Sequence, residues 1–397
     1  MKNTNKLLIR VIDICSIIVF FSCVQIPSIM RIIHGESYLQ TIRILIIIAC
    51  SLYCLIHKRL APNMGLITLW SIITVLSTYL SGYDWSYSIQ IITIPFLMCF
   101  FLSINIKNID RILRIWSNLL TILVLLDFTT IILFPKGMYY DGLFDINWFL
   151  GYKTARFAYQ LPLCSISAYL DEKKFGRIGI KTYLMVLISI YCSYKSQALA
   201  ATVCMILFGF SICLFDSSKN VKYWKVMFYK IFNYKTVIPA YIISVIAVIG
   251  IQHFGLVQYI VVNWFKKDIT LTTRTFIWDS VIEMLMKRPI IGYGILNQKN
   301  YIEITLNPFA TSAHNLSLAI LMAGGVLGAI IYVLIIGRAL YRKNKQYYSY
   351  DIPIVLAVLI FLIIGITSES LLFSEFSLVL LYLLLIKEGR KRNEYRC

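Results

Sequence analysis

The stretch LSLAILMAGGVLGAIIYVLIIG, residues 316–337, contains no charged side chain and is long enough to cross a lipid bilayer as one helix. A helix rises about 1.5 Å per residue, so roughly 20 apolar residues cover the hydrocarbon core. Similar apolar runs recur along the chain and predict an all-α polytopic membrane protein, with residues 1–397 forming a single integral membrane domain. About twelve transmembrane helices are expected, near 8–30, 40–57, 65–82, 86–105, 112–134, 156–171, 179–195, 197–215, 236–256, 314–337, 352–367 and 370–387.

The composition supports a membrane protein. Of the 397 residues, 59% are hydrophobic and 14% are charged, whereas soluble proteins have about 45–50% apolar and about 25% charged residues. An ordinary soluble enzyme, a disordered chain and a fibrous protein are therefore excluded. The net charge of +19 is concentrated in alternate loops, where most of the 38 Lys and Arg residues lie. The positive-inside rule places those loops and both termini in the cytoplasm. The basic excess thus orients the chain, and we expect no nucleic acid partner.

The longest segment between predicted spans runs from 256 to 313, before the tenth span, and on this topology it faces outside. Loops of this length are usually functional or disordered, and this one is rich in aromatic and basic residues. We predict that it is partly helical, with a helix over 275–288 capped by Thr272 or Thr273 and ended by Pro289. The helix would carry an apolar stripe of Phe276, Ile277, Val281, Met284 and Leu285, opposite Asp279 and Glu283.

Four short motifs follow one another through this loop and into the tenth span. They are TxRxxxW (Thr272, Arg274, Trp278), KRPIIGYG at 287–294, His314-Asn315, and GGVLG at 324–328. In this order they resemble the O-antigen ligase and polymerase family. A second stretch, FLGYKTAR at 149–156, resembles the FLGxKN segment of capsular and exopolysaccharide polymerases, with Thr154 in place of the usual Asn. The twelve-span layout with a late outer loop extends the likeness over the chain.

The resemblance implies a polymerase of polyprenyl-pyrophosphate-linked oligosaccharide repeat units, as used to make O-antigen, capsule or exopolysaccharide. It implies inverting glycosyl transfer at the outer face of the bacterial cytoplasmic membrane. The acceptor hydroxyl would attack the anomeric carbon of the donor, and the lipid pyrophosphate would leave. Implied partners are the lipid-linked donor and acceptor, membrane lipids, a chain-length regulator and a flippase.

This chemistry requires cations beside the leaving pyrophosphate and a base beside the attacking hydroxyl. On the family pattern we expect Arg274 and His314 to be catalytic, because a guanidinium fits phosphate oxygens and an unperturbed His titrates near pH 6.5. Asp141, Asp145, Asp268 and Glu303 are alternative bases. The expected substrate-binding residues are Arg156, Lys153, Arg288, Asn315, Trp278 and Tyr293.

Each of these residues also has a structural interpretation. Arg156 falls at the outer end of a predicted span, where a charge is costly, but a long side chain there can also reach the headgroups. Arg288 can bind anionic lipids, Asn315 can cap the tenth span, and Trp278 and Tyr293 suit an interface belt or the core. Asp127, inside the fifth span, is expected to pair with a basic residue or to line a cavity.

No cofactor and no metal are expected. The sequence has no DxD motif for a nucleotide-sugar metal, no CxxC, and no Cys/His cluster with zinc spacing. Two other functions remain open. One is a ligase that transfers a finished glycan to another acceptor. The other is a flippase or transporter for the same lipid-linked units, although we find no internal repeat of the kind that many transporters have.

Overall fold

The computed structural model describes residues 2–24, 36–56, 63–140, 146–216, 222–249, 274–308, 312–341, 349–366 and 375–386. Apart from one small hairpin of β1 (Asn147–Trp148) and β2 (Gly151–Tyr152), the regular structure described is helical. The α-helices in chain order are α1 Lys2–Cys23, α2 Glu36–Ile56, α3 Gly65–Leu80, α4 Trp85–Ile104, α5 Ile109–Leu133, α6 Phe157–Phe175, α7 Ile180–Lys195, α8 Leu199–Phe215, α9 Lys222–Ile231, α10 Tyr234–Ile249, α11 Arg274–Lys287, α12 Gln298–Thr305, α13 Leu316–Leu340, α14 Ile352–Gly365 and α15 Glu375–Leu385.

Each predicted span overlaps one of these helices, which agrees with an all-α membrane protein. Among the described residues, four helical stretches are long and apolar enough to cross a membrane: Tyr38–Ile56, Trp85–Ile104, Ile106–Leu133 and Leu316–Leu340. A fifth candidate is the pair α9 and α10, which meet at a bend of 54°. Several other helices are apolar but shorter, for example α8 and α14. The number of twelve crossings therefore stays a prediction.

The centre of the bundle is formed by α14 and α15. Nearly every side chain of these two helices is buried, because they pack against α4, α6, α8 and α13 on several sides. A helix that is hydrophobic around its whole circumference belongs in such a surrounded position. In contrast, α2 lies at the periphery, where it contacts α1 and α4 and leaves most of its surface uncovered.

Contacts between helices define two ends of the bundle. At one end, Asn315 before α13 binds the carbonyl of Ile366 after α14, and Phe157 at the start of α6 packs on Phe361 of α14. The turn between α3 and α4 contacts Arg288 at the same end. We call this the site end. At the opposite end, Asp110 pairs with Lys173, and Arg111 pairs with Asp13 at 2.5 Å.

The helix expected in the outer loop is present as α11. It begins at Arg274 and ends at Lys287, before Pro289, whereas the proposed caps Thr272 and Thr273 lie outside the described residues. One part of the predicted apolar stripe is wrong, because Phe276 is 58% exposed. Successive helical residues are about 100° apart, so the side that packs on α13 carries Ile277, Trp278 and Val281 and turns Phe276 away.

Candidate functional site

A buried ion pair joins α5 to the start of α6 at the site end. Nε of Arg156 lies 3.2 Å from Oδ2 of Asp127, and neither side chain is exposed. The guanidinium also lies 4.8 Å from the centre of the Trp148 ring, and Nη1 donates to the carbonyl of Cys192 at 3.4 Å. Burying two charges is costly unless they are paired. Arg156 is therefore the basic partner that the sequence predicted for Asp127.

The second oxygen of Asp127 holds the FLGYKT segment in place. Phe149 and Leu150 of this segment form the turn, and Gly151 and Tyr152 the second strand, of the hairpin of β1 and β2, in which Trp148 pairs with Gly151. At its tip, the N–H of Leu150 donates to Oδ1 of Asp127 at 2.9 Å, and the N–H of Phe149 donates to Thr130 at 3.3 Å. One carboxylate thus fixes both the hairpin and Arg156.

Several donor atoms around Arg156 have no acceptor within the described part of the chain. They are Nε and Nη2 of Arg156 and Nε2 of Gln160, which lies one turn further along α6. The Nε–Oδ2 contact to Asp127 is close, but it does not have the alignment of a hydrogen bond. The side-chain oxygen Oε1 of Gln160 accepts a hydrogen bond from the Ser193 hydroxyl at 2.9 Å, so only the Nε2 end of this side chain is left without a partner among the described residues. A buried donor without an acceptor is costly in a finished core and suits a site that receives an anion.

Lys153 lies in the turn at residues 153–156 that precedes α6, and Arg156 is the last residue of this turn and the N-cap of α6. It is half-buried, and its Nζ lies 5.3 Å from the centre of the Tyr152 ring. Lys153 and Arg156 are three positions apart in this turn, so both lie in the same part of the site end. Thr154, at the position where the family pattern has Asn, is exposed.

His314 lies at the start of α13, at the same end of the bundle as Arg156. Its backbone has a φ of 47°, in the left-handed region that few side chains other than glycine adopt. The ring is half-buried. Phe157 and Asn315 contact α14 at Phe361 and at Ile366, so the starts of α6 and α13 flank the last turns of α14. Residues with such strained backbone are frequent at functional sites.

Both ends of the Asn315 side-chain amide form hydrogen bonds within the protein. Oδ1 accepts from the N–H of Leu318 at 3.1 Å, which caps α13, and Nδ2 donates to the Ile366 carbonyl at 2.8 Å. The side chain is fully buried. It therefore fixes the backbone beside His314 and ties α13 to α14.

Two further predicted site residues lie on α11. Arg274 is its first residue and is half-buried. Trp278 is 1% exposed and packs in the core, and its indole N–H has no hydrogen-bond acceptor among the described residues. Arg274 is thus at the N-terminus of α11, whereas Trp278 packs in the protein core.

The KRPIIGYG and GGVLG motifs form one unit. Helix α13 is broken at Gly325, which has φ 58° and ψ −157°. The N–H groups of Val326 and Leu327, freed by the break, donate to the carbonyls of Pro289 and Ile290 at 2.9 and 3.2 Å. In return, the carbonyl of Met322 accepts from Tyr293 and Gly294 at 2.7 and 2.9 Å. The loop after α11 therefore supplies hydrogen-bond partners for the backbone groups that the break in α13 leaves without partners inside the helix.

Helix α3 holds this unit from the other side through two hydroxyl groups that the sequence analysis did not identify. Ser77 donates to the carbonyl of Ile291, and Thr78 accepts from the N–H of Ile295 at 3.0 Å. A side chain at Gly294 would collide with Thr78. The only signal for these contacts in the sequence was a pair of adjacent hydroxyl residues near the end of the span.

Arg288 and Tyr293 stabilise the end of α11. The guanidinium of Arg288 lies 5.5 Å from the Tyr293 ring centre, and its Nη1 donates to Ser81 at 2.7 Å. The Tyr293 hydroxyl donates to the carbonyl of Met284 at 3.2 Å. Tyr83 lies in the turn between α3 and α4, and its pKa is raised first by partial burial and second by the carboxylate of Glu303. Glu303, one of the alternative bases, therefore lies beside the turn that Arg288 contacts.

The described site residues, apart from Arg274, thus form three groups at one end of the bundle. Arg156 and Lys153 lie beside the hairpin, and His314 and Asn315 flank the neighbouring end of α14. Arg288, Tyr293 and Trp278 belong to the packed unit of α11 and α13. Asp141, Asp145 and Asp268, the remaining alternative bases, lie outside the described residues.

Comparison with known families adds one finding. A family model described as O-Antigen ligase matches residues 182–333 of this chain. The matched region contains Arg274, Arg288, Tyr293 and His314, and it begins after Lys153 and Arg156 in the chain. No curated protein matches the chain. The match supports the O-antigen ligase and polymerase family rather than its polymerase branch in particular, and together with the apolar helices it indicates a bacterial membrane enzyme that processes lipid-linked glycans.

Proposed function

We propose that this protein polymerises polyprenyl-pyrophosphate-linked oligosaccharide repeat units at the outer face of the cytoplasmic membrane. The observation that carries the proposal is Arg156, a fully buried cation whose Nη2 has no acceptor among the described residues, at the same end of the bundle as His314. A charge in that position is expensive to maintain, and charges inside membrane proteins commonly mark substrate sites. The FLGYKT hairpin that packs beside it is the segment that resembles polymerases.

In the proposed reaction, His314 accepts the proton of the acceptor hydroxyl as its oxygen bonds to the anomeric carbon. The bond from that carbon to the pyrophosphate oxygen breaks on the opposite face, and its electron pair remains on the leaving group. Arg156 and Arg274, with Lys153, stabilise the charge that develops there, because charge-assisted hydrogen bonds to phosphate are strong. Attack from the opposite face inverts the configuration at the anomeric carbon.

The test is reconstitution of the full chain in lipid vesicles with a lipid-linked repeat unit. We expect a ladder of longer glycans, and we expect it to form equally well in EDTA because the cationic side chains take the role of a metal ion. Transfer restored only by Mg²⁺ or Mn²⁺ would refute metal independence. Transbilayer movement of the substrate without new glycosidic bonds would refute the polymerase function.

Substitution of the two proposed catalytic residues should separate chemistry from folding. We expect Arg274→Ala and His314→Ala to insert and accumulate normally but to lose chain extension by roughly 100-fold or more, the usual contribution of a general base or charge-stabilising group. The Lys299→Ala variant is a control, since Lys299 is an exposed cation of the same loop. Near-normal extension by His314→Ala would show that another residue is the base.

A ligase is the second candidate, because the matching family model carries that description. The two reactions share the donor and the leaving group and differ in the acceptor. Offering the reconstituted protein a finished lipid-linked glycan and a separate acceptor distinguishes them. A single transfer without a ladder identifies a ligase.

A flippase is less well supported. Transporters with broken helices use the freed backbone groups to bind substrates or ions. Here the N–H groups of Val326 and Leu327 are already bound by carbonyls of the preceding loop. The break in α13 is therefore a packed joint rather than an open binding site.

A further inference from the structure

The end of the bundle opposite Arg156 and His314 has two turns of the same composition. One joins α6 to α7 at residues 174–181, and the other joins α9 to α10 at residues 230–235. Neither turn contains an acidic residue. Each combines exposed cations with exposed large apolar side chains, namely Lys174, Phe175, Arg177, Ile180 and Lys181 in the first and Lys230, Ile231, Phe232 and Lys235 in the second. We call these two segments the basic turns.

Contacts between helices place both basic turns at the same end of the bundle. The first turn follows α6, whose C-terminal end pairs with the start of α5 opposite the site end. Tyr183, near the start of α7, donates to Asp216 after α8 at 3.1 Å. Phe215 at the end of α8 packs against Phe228 of α9, with ring centres 4.8 Å apart. The contacts therefore continue from the first turn through α7 and α8 to α9 and the second turn.

The second basic turn is a fixed bend. Helices α9 and α10 meet there at 54°. Asn233 holds the bend, because its Oδ1 accepts from the N–H of Lys235 at 2.8 Å and its Nδ2 donates to the carbonyl of Lys230 at 2.5 Å. Phe232 packs on Phe228 with ring centres 4.8 Å apart. Helix α10 carries no charge beyond Lys235 and suits the hydrocarbon region, so the bend turns α9 away from it and toward the membrane surface.

The carboxylates near the basic turns do not neutralise their cations. Asp171 accepts two hydrogen bonds from the start of α7, at 3.0 and 2.7 Å. Glu172 and Asp216 are buried. Asp110 is paired with Lys173. The exposed charged side chains of both turns are therefore cationic, and exposed apolar side chains lie between them. The surface that complements this arrangement has anionic groups beside an apolar interior.

We propose that the basic turns bind the headgroups of anionic phospholipids, with the exposed apolar side chains of each turn in the acyl region of the same leaflet. On the predicted topology this is the cytoplasmic leaflet, whose anionic lipids attract basic segments next to a span. A soluble acidic protein fits this surface less well, because it would leave the apolar side chains of both turns without an apolar partner. The proposal does not depend on the proposed reaction.

The test uses the full chain in phosphatidylcholine nanodiscs that contain a small fraction of a lipid with a photoactivatable group near its headgroup. The labelled lipid is either phosphatidylglycerol or phosphatidylcholine. We expect phosphatidylglycerol to label both basic turns roughly tenfold more strongly, because each lysine near an anionic surface strengthens the attraction about fivefold. The double variant Lys230→Gln with Lys235→Gln should lose most of this preference at the second turn and keep it at the first. Lys136→Gln is the matched control, since Lys136 is an exposed lysine after α5 at the site end.

Three outcomes would refute the proposal. One is equal labelling of the basic turns by the two lipids. Another is a preference for phosphatidylglycerol at the second turn that survives the loss of both lysines. The third is no labelling of either turn by either lipid, which would indicate a surface open to a soluble partner. Thermal unfolding of the double variant should match that of the unmodified chain, because both lysine side chains are exposed. A change in labelling can then be assigned to the lost charges.

Discussion

Replacing Gly325 with alanine is expected to cause a large loss of stability, although the change adds only one methyl group. Its φ of 58° with ψ −157° lies in a backbone region that is essentially restricted to glycine, so a side chain costs about 1–3 kcal/mol in strain. A Cβ there would also collide with the carbonyl of Ile290. Overpacking of this kind costs a further 1–3 kcal/mol or so.

Gly328→Ala is the matched control for this substitution. It lies three residues further along the same helix, and the atom nearest to an added Cβ is the Ile320 carbonyl oxygen at 3.8 Å. We expect its free energy of unfolding in mixed detergent and SDS to be unchanged or raised, whereas that of Gly325→Ala falls by several kcal/mol. If the two variants were equally stable, the packed joint between α13 and the KRPIIGYG loop would not exist as described.

Breaking the Asp127–Arg156 pair is expected to have the second large effect. Removing one partner of a buried ion pair leaves an uncompensated charge and costs about 3–5 kcal/mol. We therefore expect Asp127→Asn and Arg156→Gln each to lower the free energy of unfolding by this amount. The comparison pair is Arg111 and Asp13, whose side chains are 46% and 28% exposed, and Arg111→Gln should cost about 1 kcal/mol or less.

The double variant Asp127→Asn with Arg156→Gln separates the structural role of the pair from its role in the reaction. It leaves two neutral polar groups, so we expect it to recover much of the stability that each single variant loses. Glycan extension should not recover, because the cation that binds the pyrophosphate is gone. A double variant with restored stability and near-normal extension would show that Arg156 acts only in folding.

The sequence by itself determined where the helices lie. Each predicted span contains a helix, and the outer loop contains α11, because the hydrogen bonds of a helix are internal and its apolar length is visible in the sequence. The cap at Asn315 and the end of α11 before Pro289 are also local. The number of crossings stays a prediction, since α14 and α15 have only 14 and 11 helical residues.

Only the tertiary structure decided which side chains meet. The sequence showed that Asp127 and Arg156 were costly charges, but pairing them required the packing of α5 against α6 and the hairpin between them. It showed two glycine motifs without showing that Pro289 and Ile290 bind the broken helix at Gly325. It placed Phe276 on the apolar stripe, whereas packing on α13 selected Ile277, Trp278 and Val281. The physical reason is that hydrophobicity and periodicity are properties of one segment, whereas the partner of a buried polar group or of a glycine is set by the neighbouring helix.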